Sequence, residues 1–96
     1  MNIYEHLKQT QQEIDPSGQS IAIVDSNGSM TYGQLWNSVD ACRKRLIDLG
    51  LEAQMGLGVV GENSRNMVIT ILAGMSLDAV VLPISNDLMP FELERL

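Results

Sequence analysis

Two short, uniformly apolar runs constrain the fold of this 96-residue chain more than any other feature. Leu57–Val60 and Ala79–Pro83 have the length of strands, and their lack of polar alternation is typical of strands covered on both faces. Between the two runs, apolar residues recur at helical spacing, namely Met67, Val68, Ile71, Leu72 and Met75. A strand, a helix and a strand this close together predict a parallel pair with a right-handed crossover.

The most regular apolar stripe of the chain predicts a helix from about Tyr32 to Leu49. Thr31 and Gln34 have the spacing of a capping box, and Gly50 stands where a left-handed residue is favoured after a helix. The stripe alternates spacings of four and three and consists of Leu35, Val39, Cys42, Leu46 and Leu49. The charged residues of this segment lie largely off the stripe, toward solvent: Asp40, Arg43, Lys44 and Asp48.

A small antiparallel hairpin is predicted directly before this helix. Ile21–Val24 is rich in β-branched residues, which favours a strand. Asn27-Gly28 favours a tight turn, and Ser29–Thr31 would return as the second strand. The predicted fold class is therefore α/β, with a small hairpin and a helix followed by a parallel βαβ unit.

The two ends of the chain predict short helices. Asn2 and Glu5 resemble a capping box that begins a helix at about Ile3, with Ile3 and Leu7 on its buried face. Pro90 fits the first turn of a last helix, which runs to the final residue without a stop signal. We expect residues 1–96 to form one partial subdomain rather than a finished fold.

Composition and charge exclude several classes of protein. The hydrophobic fraction of 45% is too high for a disordered chain, and no apolar run reaches the length of a membrane span. Twelve acidic residues outnumber six basic ones, for a net charge of −6, which disfavours nucleic acid and anionic membrane surfaces. A single cysteine cannot form an internal disulfide or a zinc site.

Gly56–Gly61 spells the pattern G-x-G-x-x-G, and Asp78 follows 17 residues after its last glycine. A dinucleotide-binding fingerprint needs a strand before the first glycine and an acid at the end of the next strand. Here the apolar run lies between the glycines, and Asp78 precedes the second run. We therefore interpret these glycines as allowing close packing against a helix and a tight exit turn.

The remaining candidate residues favour structural roles. Asn63 or Ser64 would cap the following helix rather than bind an anion. His6 is predicted to be solvated and Cys42 to be buried in the core. Trp36, with the neighbouring Tyr32, would anchor its helix on the hairpin, and no pair of carboxylates has a spacing that argues acid–base chemistry.

Six blocks of the sequence carry a resemblance that covers essentially the whole chain. They are Ile21–Asp25, Met30–Leu35, Asp48–Leu51, Val59-Val60 with Asn63-Ser64, Ala79–Ile84 and Leu88–Leu93. In order and spacing they resemble the opening motifs of the adenylate-forming superfamily. Its members are AMP-forming acyl- and aryl-CoA ligases, nonribosomal peptide synthetase adenylation domains and luciferases.

Three departures from the family pattern point to a divergent member. Gln54–Leu57 replaces the usual G-D-x-V, Glu62 stands where the family has proline, and Asp78 stands where it has glycine. The family's later motifs, which handle ATP, have no counterpart in these 96 residues. The resemblance therefore assigns no catalytic, cofactor-binding or metal-binding residue to this chain.

The resemblance implies a function only for a longer enzyme. Such an enzyme joins a carboxylate to AMP and then transfers the acyl group to a thiol, with ATP, Mg²⁺ and coenzyme A or a carrier-protein thiol. We expect this chain to be its cytoplasmic, structural N-terminal part, with the remainder of the ligase as partner and self-association when alone. The alternative is a stand-alone scaffold or interaction module derived from the same fold.

Overall fold

A computed structural model describes residues 2–61 and 65–85, and nothing is stated below about the residues outside these ranges. Its elements are α1 (Ile3–Ile14), β1 (Ile21–Asp25), β2 (Gly28–Thr31), α2 (Tyr32–Asp48), β3 (Gly56–Gly61), α3 (Arg65–Ser76) and β4 (Val80–Ser85). The predicted α/β class is confirmed. The predicted cap of α3 at Asn63 or Ser64 and the predicted helix after Pro90 lie outside the described residues.

The described strands form two separate two-stranded sheets. Strands β1 and β2 pair antiparallel, with Asp25 opposite Gly28 at the turn and an irregularity between Ile21 and Ile23. Strands β3 and β4 pair parallel, from Gly56 opposite Val80 to Gly61 opposite Ser85. The hairpin and the parallel pair predicted from the sequence are both confirmed.

Helix α3 packs closely on one face of the β3–β4 sheet, and the closest approach is at Gly74. A Cβ atom on Gly74 would lie 2.8 Å from Val81 Cγ2 and 2.9 Å from Leu57 Cδ2. The opposite face of the sheet is exposed, with Val80 at 61% and Leu82 at 46% of full exposure. The expectation that both faces of these strands are covered is therefore wrong for the described residues.

The hydrophobic core lies where α1, the hairpin, α2 and α3 meet. Its buried members are Tyr4, Met30, Leu35, Trp36, Val39, Ile69 and Ala73. Cys42 and Leu46 of the predicted α2 stripe pack against this cluster, but Leu49 is 82% exposed. The reason is that α2 ends at Asp48, so Leu49 lies beyond the helix and outside the apolar stripe that packs against the core.

Two predicted helix faces differ from the structure. On α1 the buried residue is Tyr4, whose ring meets that of Trp36 edge-on at a centroid distance of 5.8 Å. Ile3 and Leu7 are exposed, because the side of α1 that carries Tyr4 faces the core. On α3 the most buried apolar side chains are those of Ile69 and Ala73, whereas Val68 is exposed.

Helix ends follow the capping rules closely. The Thr31 hydroxyl accepts the N–H of Gln34 at 3.2 Å, and the Gln34 side chain accepts the N–H of Thr31 at 2.9 Å. This reciprocal pair confirms the capping box predicted for α2. Gly50 has a φ of 97°, as predicted for the residue after this helix. Among the described residues no helix has the length and apolar character needed to cross a membrane.

Asn2 fastens the start of α1 to the end of α3. Its Oδ1 accepts the N–H of Glu5 at 2.9 Å, which caps α1. Its Nδ2 lies 3.2 Å from the carbonyl oxygens of Met75 and Ser76 and 3.0 Å from Asp78 Oδ1. The Asn2 side chain therefore provides an acceptor for a free N–H at the start of α1 and a donor for free carbonyls at the end of α3.

We predict that Asn2→Ala lowers the free energy of unfolding by about 1–2 kcal/mol, because it removes both the cap and the tie to α3. Asn2→Asp keeps the capping oxygen, loses the donor and adds a negative charge near Asp78, so it should also destabilise. Urea unfolding followed by circular dichroism measures both effects. Gln12→Ala, on an exposed position of the same helix, serves as the control. Equal stability of Asn2→Ala and this control would contradict the role of Asn2.

Candidate functional site

The glycine motif does not form a nucleotide-binding turn. The whole of Gly56–Gly61 lies within β3. Asp78 lies in the turn between α3 and β4, where its φ is 58° and its carboxylate accepts from Asn2. The turn from strand to helix that a dinucleotide fingerprint requires is therefore not made by these glycines.

The packing explanation of these glycines also needs correction. A Cβ atom on Gly56 would meet no atom within 4 Å, so α3 does not require a glycine there. The close contact between helix and sheet is made from the helix side, by Gly74. Gly56 and Gly58 are both exposed, on the sheet face opposite α3.

The strongest polar contact in the described residues joins the hairpin to α3. Arg65, the first residue of α3, donates from Nε to Asp25 Oδ2 at 2.8 Å and from Nη2 to Asp25 Oδ1 at 2.7 Å. The same Nη2 lies 3.0 Å from the carbonyl oxygen of Gly28. This fork-on-carboxylate geometry is the most favourable that an ion pair adopts. It fixes the tip of the hairpin relative to the N-terminus of α3.

This ion pair changes the titration of both partners. The two hydrogen bonds from the Arg65 side chain hold the pKa of the Asp25 carboxyl well below its usual range. The backbone N–H of Asn27 adds to this effect through a 2.9 Å bond to Asp25. In return, the pKa of Arg65 is raised by its bonds to Asp25. The side chains are only 20% and 12% exposed, so solvent screens the pair less than an ordinary surface contact.

A second polar network joins α1 to α2. Trp36 donates its indole N–H to Gln11 Oε1 at 2.7 Å, and Gln11 donates in turn to Asp15 at 3.3 Å. Asp15 also accepts the backbone N–H of Ser20 at 3.0 Å and the hydroxyl of Ser17 at 3.1 Å. The bond from Ser20 is the main reason that the pKa of Asp15 is lowered. The buried tryptophan thus has a partner for its only polar atom.

An open groove of about 570 Å³ runs beside this network. Its floor is apolar and includes Leu35 and Trp36, while His6 and Tyr32 lie among its lining residues. On the other side of α1, a smaller groove of about 360 Å³ is lined by Tyr4, Lys8 and Arg43, among others. Burial raises the pKa of the Tyr4 hydroxyl, which favours the neutral phenol at physiological pH. The first groove also contains the hydroxyls of Thr10 and Ser20, but among the described residues no hydrogen bond couples His6 to a hydroxyl.

The individual candidates from the sequence take these places. His6 is exposed on α1, as predicted, and Cys42 is partly buried against the core. Trp36 shares its buried cluster with Met30 of the hairpin, and it also bonds to Gln11 and packs on Tyr4 of α1, which the sequence did not predict. No group of three or more histidine, cysteine or acidic side chains within residues 2–61 and 65–85 could hold a metal ion.

Sequence reasoning missed the Asp25–Arg65 pair. Asp25 is explained locally by the hairpin turn and Arg65 by the start of a helix, so neither residue stands out in the sequence. They are 40 positions apart, and no sequence pattern indicates that they contact each other. The resemblance block Ile21–Asp25 includes the acid, but the resemblance assigned it no partner.

The model of the AMP-binding enzyme family matches residues 10–96. The chain belongs to this family. Equisetin synthetase of Fusarium heterosporum is 36% identical over 77 residues, which make up 79% of this chain and 2% of that protein. The resemblance drawn from the opening motifs is therefore confirmed.

Solved structures of the family show the same fold. The N-terminal subdomain of NpsA from Klebsiella oxytoca superposes with a TM-score of 0.85 at 18% identity, covering 97% of this chain and 24% of that one. The anthranilate CoA ligase AuaEII, solved with anthranoyl-AMP, gives a TM-score of 0.85 at 21% identity, covering 99% of this chain and 18% of the ligase. The chain thus has the fold of a partial piece of an AMP-forming ligase N-terminal domain, and it spans a small part of each relative.

We predict that the stabilising effect of Asp25 disappears in acid. Its native pKa is lowered, so its contribution is complete above the unfolded value of about 3.9 and is lost as the pH falls below it. The difference in unfolding free energy between wild type and Asp25→Asn should be large at pH 7 and shrink progressively below about pH 4. Denaturant titrations at several pH values measure it. Asp48→Asn, at an exposed position of α2, gives the control, and a difference independent of pH would contradict the ion pair.

We predict that no dinucleotide binds at Gly56–Gly61, because these residues form a strand instead of a phosphate-binding turn. Titration with NAD or FAD should give no saturable change in the fluorescence of Trp36, the only tryptophan, and no heat in calorimetry. Micromolar binding that Gly58→Val abolishes would show that the motif does hold a nucleotide.

Proposed function

We propose that this chain is the structural N-terminal part of an AMP-forming enzyme that activates a carboxylic acid. The match to the AMP-binding family over residues 10–96 carries this proposal. In the enzyme's reaction, a carboxylate oxygen attacks the α-phosphorus of ATP, which forms an acyl-AMP and releases pyrophosphate. A thiol then attacks the acyl carbon and displaces AMP. The anthranoyl-AMP bound to the ligase AuaEII is an intermediate of this type.

The thiol acceptor is coenzyme A or a carrier-protein thiol. The first agrees with the CoA ligase among the solved relatives, and the second with the resemblance to peptide synthetase adenylation domains. ATP use follows from the family, and Mg²⁺ is proposed as the usual companion of its phosphates. We place the enzyme in the cytoplasm, where ATP is supplied.

The cationic side chains of the described residues do not form a binding site for a nucleoside triphosphate. The Arg65 guanidinium is engaged by Asp25 and by the Gly28 carbonyl. Arg43 and Lys44 each lie 3.5 Å from Asp40. A triphosphate needs several convergent donors in one cradle, and no such cradle exists among residues 2–61 and 65–85. We therefore derive no step of the reaction through this chain's own side chains.

The chain's contribution to the enzyme is geometric. The Asp25–Arg65 pair and the Asn2 contacts hold the hairpin and α1 on α3, and α3 in turn supports one face of the β3–β4 sheet. A rigid supporting layer of this kind holds the elements that carry the chemistry in place.

We predict that the chain alone does not release pyrophosphate from ATP and Mg²⁺ with any of a panel of carboxylic acids. The reason is that its sequence contains no phosphate loop and that residues 2–61 and 65–85 form no cradle of cations. A coupled pyrophosphate assay measures this, with a full-length anthranilate CoA ligase as positive control and circular dichroism to show that the chain is folded. Turnover that is lost on substituting a residue of this chain would contradict the structural role.

A further inference from the structure

We draw no further inference here: the strongest candidate, the open apolar groove of about 570 Å³ between α1, the hairpin and α2, carries none, because nothing among residues 2–61 and 65–85 shows whether a ligand or another part of the same domain covers it.

Discussion

The fold depends on the way both ends of α3 are fixed by polar contacts that reach far along the chain. At its N-terminus, Arg65 is held by Asp25 and the Gly28 carbonyl. At its C-terminus, the carbonyls of Met75 and Ser76 accept from Asn2. Between these ends the helix packs against α2 on one side and against the β3–β4 sheet on another. Such contacts restrict how α3 slides or rotates on its apolar neighbours, because hydrogen bonds are directional and apolar contacts are not.

Features that depend on a few neighbouring residues were predictable from the sequence. The capping box of Thr31 and Gln34, the hairpin turn at Gly28 and the left-handed Gly50 each follow from chemistry within four or five positions. The parallel pairing of β3 and β4 was also predictable, since a short βαβ connection leaves no other arrangement. In contrast, the Asp25–Arg65 pair and the bonds of Asn2 span 40 or more positions, and no local rule names their partners.

Apolar residues proved harder to place than polar ones. Ile3, Leu7 and Leu49 match a buried helix face by spacing, yet all three are exposed. Periodicity identifies a helix, but the neighbouring element decides which of two similar faces is buried. On α1 the buried face is the one that carries Tyr4, because the Tyr4 ring packs edge-on against Trp36. The predicted covering of both sheet faces failed for the same reason, because an apolar strand shows a need for burial and not the element that provides it.

The described residues combine polar side chains that already have hydrogen-bond partners with apolar surfaces that are exposed. Its best polar contacts point inward and are used for assembly, since Asp25, Arg65 and Asn2 all have partners within the described residues. The surfaces left open are largely apolar, namely the floor of the groove beside Trp36 and the sheet face that carries Leu82. A catalytic centre requires polar groups that remain available to a substrate. The proposed role as a supporting part of a larger enzyme agrees with polar groups that fix the shape of the described residues and with exposed apolar surface that can receive neighbouring parts.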